Sequence, residues 1–297
     1  MRWYQGGDSL ATRLRNSGKP LKRIRQFAYL CCHPVGHYHC ASAIRDSRLV
    51  RDPSIALKYL GDHLALSLRP QQRRTALTAH YQMIARILLP STVDSLHEGL
   101  LIWRKDVADC PALTITLEPS KLAPMEGELQ LRFSFRSDLC VLTFLLAHGE
   151  PFGAHQPAVL FVGGVQGRLG AREELREASR CNGEISPSGM LFLALQAIGK
   201  ALDISEIIGI GEDDHISTGY SRARITFDYR RFWTELGGVR RGRHYAIPLD
   251  TPAKPISETS PSHRSRARRK RRAKGLVRQS IESHVRLLIG PVAALPV

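Results

Sequence analysis

The chain has 297 residues, enough for one large domain or two small ones with a sizeable core. Its hydrophobic content of 43% and charged content of 24% are those of an ordinary globular protein and exclude a wholly disordered one. The formal net charge is +16, yet nine Lys and Arg, with no Asp or Glu, fall between Pro261 and Ser280. Removing those nine leaves +7, so the body is mildly basic and the strong anion affinity sits in one segment.

The first eight residues, Met1 to Asp8, lack the apolar core of a signal peptide. The longest apolar runs, residues 139–147 and 190–198, fall short of the ~20 residues that a spanning helix needs. Six irregularly spaced cysteines then read as thiols in a reducing compartment. The expectation is a cytoplasmic protein, peripheral at the inner membrane where its basic tail meets lipid.

Residues 1–90 read as a helical N-terminal region. Leu77, Tyr81, Ile84 and Leu88 recur at helical spacing between Pro70 and Pro90. Pro53-Ser54 opens a second helix through Ile55, Leu57, Leu60 and Leu64, and residues 21–30 form a shorter basic one. Cys31, Cys32, His33, His37, His39 and Cys40 pack six metal-type donors into ten residues. Three of them are contiguous, and Pro34 and Gly36 break a helix, so the stretch reads as a helix-to-loop junction without metal.

Residues 91–250 read as a sheet domain. Residues 113–117 and 128–136 alternate with period two, and residues 139–147 can pair with the latter across Ser137-Asp138. The apolar run 157–162 ends in Gly163-Gly164-Val165-Gln166-Gly167, which reads as a strand-to-helix turn able to approach a phosphate. Gln166 and Arg168 add donors for an anion. Ser186-Pro187 opens a helix over residues 190–202. Residues 204–210 form a strand, residues 228–236 a helix stopped at Gly237, and residues 244–249 a last strand.

Glu212-Asp213-Asp214-His215 follows the strand at 204–210. A histidine beside carboxylates at a strand end can be held in one tautomer and act as a general base, against the plain alternative of a polar turn. Residues 251–297 form a basic tail. Ile281, Val285 and Leu288 let a helix dock there, while its arginines repel one another and stay loose in isolation.

Several of these motifs, in this order, resemble the VirK/YbjX family of bacterial proteins. They are Phe232-Trp-Thr-Glu-Leu-Gly-Gly238, the following Tyr-Ala-Ile-Pro-Leu249, the Gly-Gly-Val-Gln-Gly167 run, His80-Tyr81, His215 and His263-Arg-Ser in the tail. Relatives carry Ser-Asn ahead of the histidine, where this chain has Glu212-Asp213-Asp214. The resemblance implies a role in envelope integrity, surface-protein display, antimicrobial-peptide resistance or virulence. The closing helix and strand are also similar to those of Gcn5-related N-acyltransferases. That similarity implies an α+β fold with a mixed, acyltransferase-like central sheet and an acyl-CoA or acyl-carrier thioester as donor.

It further implies a donor pyrophosphate on the amides of Ser186, Ser188 and Gly189, beside Gly163, Gly164, Gln166 and Arg168. His215 would serve as base, with Asp214 next to it and Tyr245 as acid. A non-catalytic scaffold, and a binder of anionic lipid or nucleic acid acting through the tail, are the alternatives.

Overall fold

The computed structural model describes residues 20–219, 227–250, 255–258 and 260–290. Four helices come first, each beginning at a proline, whose missing N–H costs nothing in a first turn. They are α1 (Pro20–Cys32), α2 (Pro34–Ser47), α3 (Pro70–Ile87) and α4 (Pro90–Glu98). A 3-10 helix, Pro53–Leu60, stands before α3 and stops short of the expected Leu64. The junction at residues 31–40 is helix to helix, because Pro34 opens α2 and Gly36 lies inside it. The Arg74 guanidinium packs over Gly36, where a Cβ would push it aside.

The strands are β1 (Leu100–Val107), β2 (Cys110–Pro119), β3 (Leu129–Ser134), β4 (Asp138–His148) and β5 (Ala158–Gly167). Helices α5 (Arg172–Cys181) and α6 (Pro187–Ala201) lead to β6 (Glu206–Gly209). Then come α7 (Tyr229–Glu235), β7 (Val239–Arg241), β8 (His244–Pro248) and α8 (Pro261–Leu288). The eight strands make one sheet in the order β1-β2-β3-β4-β5-β6-β8-β7, in which only β5 and β6 run parallel. The fold is therefore α+β with a mixed, mostly antiparallel sheet. Leu129, Leu131 and Phe133 are buried on one face, as their alternation requires.

One correction concerns the glycines. Residues 163–167 are not a turn but the second half of β5, and the β4–β5 register shifts between Thr143 and Phe144. Gly163 is the extra residue of that bulge. A second correction concerns the cysteines. Cys110 and Cys181 form a disulfide across 71 residues, while Cys31, Cys32, Cys40 and Cys140 are free. Spacing alone could not pair them, because α5 swings its C-terminus to the β1–β2 hairpin only through tertiary folding.

Strand β3 begins opposite Phe144, so β4 beyond that point has no strand on one side. Helix α3 covers the gap, and the buried His80 Nδ1 accepts the Leu146 N–H at 3.2 Å. Burial lowers His80 to about 4, which keeps the ring neutral and able to accept.

Helix α6 lies against the sheet, and α8 packs on α6 and β1. Val277, Ile281 and Val285 are the buried residues of α8. Its basic half is not left loose: Arg266 pairs with Glu184 at 2.8 Å and Arg278 with Asp250 at 3.2 Å. No helix among the described residues is long and apolar enough to cross a membrane.

Candidate functional site

The parallel seam is short. Leu160, Phe161 and Val162 face Ile207, Ile208 and Gly209, and the last rung is Ile210 N–H to Val162 O at 2.9 Å. Past that rung the two strands part at the bulge. The opening is filled from α7: Val165 N–H donates to the Tyr229 hydroxyl at 3.0 Å, and Trp233 Nε1 donates to Ile210 O at 2.9 Å. Gly209 has no side chain because the Trp233 indole occupies that space.

On one face of the sheet, Glu118, Gln130, Thr143 and Gly164 stand side by side in register. The first three are buried. The row ends under Glu126, which descends from the β2–β3 connection onto the bulge. A Cβ on Gly163 would strike the Glu126 backbone, and one on Gly164 would strike its carboxylate. These glycines therefore make room for a side chain of the same protein. Gln166 Nε2 donates to both Glu126 oxygens at 2.8 Å, and Thr143 Oγ1 donates at 3.4 Å. Burial dominates those bonds and raises the Glu126 carboxyl to about 8, so it is largely protonated at neutral pH.

His215 completes the group. Ser217 N–H donates to its Nδ1 at 3.2 Å, which places the ring proton on Nε2. That Nε2 stands 3.5 Å from Glu126 Oε1 and makes no hydrogen bond. Burial lowers His215 to about 4, so the pair is a neutral acid beside a neutral imidazole, not an ion pair. The carboxylate facing His215 thus comes from the β2–β3 connection and not from its neighbour Asp214.

Asp214 is buried and does other work. It accepts from Ser67 N at 2.7 Å and Ser67 Oγ at 2.5 Å, and its Oδ2 lies 3.5 Å from His244 Nε2. Tyr245 pairs across from Gly209 in β8 and is buried on the face opposite His244. Among the described residues no ring contact joins it to His215.

Another buried carboxylate, Glu128, is fully paired. Lys58 Nζ donates at 3.0 and 3.1 Å, His63 Nε2 lies at 2.9 Å, and the Tyr81 hydroxyl also donates. Burial pushes its carboxyl up, but Lys58 and His63 overcome that and hold it well below the usual range. This network ties the 3-10 helix and α3 to the sheet.

The other face carries a cavity of about 750 Å³. It lies between the end of β5 at Gly167, helix α5 and the start of α6. Arg172, Arg176 and Arg180 reach it at helical spacings of four. All three are exposed, so their mutual repulsion is weak and they stand open to an anion. Glu173 and Glu184 also line the cavity, but Arg176 and Arg266 pair with them at 2.8 Å.

Ser186 and Ser188 line the opposite wall. Pro187 has no N–H, Gly189 N–H goes to Ser186 Oγ, and Met190 N–H goes to Ser186 O. The Ser188 amide is left at the cavity wall, at the positive end of α6. Cys140 lines the floor, but burial pushes its thiol up to about 12, so it is no nucleophile.

Among the expected cofactor residues, the structure brings Ser186 and Ser188 to the cavity, with Gly189 in the cap behind them. Gly163, Gly164 and Gln166 join Glu126 instead. Arg168 is engaged by Glu174 and by Ser137 Oγ, the latter at 2.6 Å. The residues that sequence reasoning missed are Glu126, Thr143, Tyr229 and the three arginines of α5. Glu126 left no periodic signal, although two glycines inside an apolar strand do mark a close approach.

Fold and site together define an α+β protein whose single parallel seam opens between a buried acid–imidazole pair and a basic cavity. The chain belongs to the family described as "Protein of unknown function (DUF535)", which matches residues 36–281. It is similar to the "Uncharacterized protein YbjX" of Escherichia coli (strain K12), at 26% identity over 236 residues. That match covers 75% of this chain and 69% of the relative. No solved structure matches the chain.

Proposed function

We propose that the protein binds an acyl thioester, such as acyl-CoA or an acyl-carrier donor, and transfers its acyl group at the opened seam. The observation that carries this reading is the cavity, where Arg172, Arg176 and Arg180 face the Ser188 amide across a space of about 750 Å³. Arginine forks and a helix N-terminus are the donors that a pyrophosphate needs. Gly167 is at the cavity and Gly164 is under Glu126, three residues apart on β5, or about 10 Å at strand rise. A phosphate held on one face would thus leave its acyl end in reach of the seam and of the pair on the other face. The strand order and the one parallel pair support the acyltransferase-like reading of the sheet.

In this reading the donor displaces Tyr229 from the Val165 amide, which then offers its N–H to the thioester oxygen. An attacking amine or hydroxyl must lose a proton, which the neutral His215 imidazole can take, and the leaving thiolate must gain one, which the protonated Glu126 carboxyl can give. A role in the bacterial envelope would follow from what the acyl group is placed on. Tyr229 also favours a second reading, a binding protein without turnover, because its hydroxyl closes the seam.

Thermal denaturation with and without an acyl-CoA series tests binding, because a ligand of the folded state raises the melting temperature. The expected result is a dose-dependent rise for donors that carry the pyrophosphate. His215→Ala should then keep binding but lower turnover by on the order of 10²-fold or more. A shift with no turnover in any variant supports the non-catalytic reading, and no shift with any donor removes both.

A further inference from the structure

Helix α1 has two apolar sides, and only one is used. Gln26 Nε2 donates to Leu60 O at 2.7 Å, Tyr29 stacks on His33 at 4.2 Å, and Tyr29 meets Tyr59 edge-on. These contacts set the inward side at residues 26, 29, 30 and 33. At 100° per residue, Ile24, Phe27, Ala28 and Cys31 fall on the opposite side. All four are exposed, Ile24 by 62% and Phe27 by 69%. Across the junction, Val35 and Tyr38 at the start of α2 are exposed by 67% and 65%.

Large apolar side chains are rarely left together in water without a partner. Arg23 and Arg25 flank the α1 stripe on either side, and both are exposed. Between Pro20 and Arg45 there is no Asp or Glu.

An apolar stripe bordered by arginines, without acids, is the pattern of a helix lying in a lipid headgroup layer. The apolar side chains would enter the acyl boundary while the guanidinium groups meet phosphates. A protein groove would more usually answer the flanking arginines with acids and would bury the junction as well as the stripe.

We propose that α1 and the first turn of α2 form a membrane-docking surface for an anionic bilayer. It is independent of the thioester reading and distinct from α8, whose buried residues are already spent on the body of the protein.

The test is co-sedimentation of the full chain with phosphatidylglycerol-containing vesicles, and with phosphatidylcholine vesicles as the neutral control. The variants are Ile24→Glu/Phe27→Glu, Arg25→Glu, and Arg268→Glu/Arg269→Glu in α8. All change exposed side chains, and an unchanged melting temperature confirms that each still folds. Wild type should bind the anionic vesicles. The Ile24/Phe27 variant should lose binding by on the order of a hundredfold, since two apolar anchors go and two repelled charges arrive. Arg25→Glu should weaken it by roughly tenfold or more, and the α8 variant by far less.

Full binding by the Ile24/Phe27 variant, loss confined to the α8 variant, or equal binding to neutral vesicles would each overturn the proposal. So would a wild-type chain that ignores vesicles but forms a dimer that the Ile24/Phe27 variant breaks, since the stripe would then cover a second copy.

Discussion

At the residue scale, Glu126 and the buried histidines pull stability in opposite directions with pH. Glu126 has a folded value of about 8 against an ordinary 4.5, so its contribution is full below 4.5 and is lost as pH rises through 8. His80 and His215 sit at about 4 against 6.5, so theirs is full above 6.5 and is lost as pH falls towards 4. Between 4.5 and 6.5 the two histidines outweigh the one acid, and above 6.5 only Glu126 acts. Urea unfolding should therefore show stability rising to about pH 6.5 and then falling by about 2 kcal/mol towards pH 8. Glu126→Gln should keep the rise and abolish the fall. A fall that survives in Glu126→Gln would mean that the carboxyl is not the group titrating there.

The same residues show what a sequence can and cannot display. His215 stands out because it follows a strand, yet its partner is Glu126 in the β2–β3 connection, a pairing that only the fold creates. Asp214 is adjacent in the chain, but it turns to Ser67 and His244. Chain neighbours at a strand end point different ways, so adjacency is a poor guide to which side chains meet. Tyr245 was readable as a strand residue, and a buried strand residue is what it is.

At the element scale, the long periodic pieces were legible. The α3 stripe, the β3–β4 hairpin, the Ser186 cap of α6 and the Gly237 stop of α7 all stand where local chemistry puts them. Gly237 adopts φ +81, which explains the glycine. Helix α5 is not legible in the sequence, because its three arginines and three glutamates hide a thin inward stripe of Leu175, Ala178 and Cys181. The glycines of β5 read as a turn in the sequence because flexibility and close approach leave the same letters.

Helix α5 also carries a prediction. Its C-terminus is held by the end of one stripe and by the Cys110–Cys181 bond. Cys181→Ser should cost roughly 2–4 kcal/mol of stability. Hydrogen exchange should rise in α5 before it rises in α3 or β4, since a cavity wall opens more readily than the core. Uniform exchange across all three would show that the bond does not hold that wall in particular.

At the scale of the whole molecule, the charge is distributed by task. The tail's positive charge is partly met by Glu184 and Asp250, and α1 presents a second basic border. The third basic feature, the exposed stripe of α5, borders an open cavity beside a helix N-terminus. Exposed guanidinium groups beside a helix N-terminus can receive a phosphate without the cost of burying a charge. The central claim is that a phosphate-bearing donor occupies that cavity.

Isothermal titration of the full chain with an acyl-CoA, alongside Arg172→Glu/Arg176→Glu, tests it most directly. The account predicts saturable one-site binding by wild type that weakens with salt. It also predicts a loss of tenfold or more in the variant, since a charge-assisted hydrogen bond is worth roughly 1.5–3 kcal/mol. Equal affinity for wild type and variant, or no heat from any acyl-CoA with the folded chain, would contradict it.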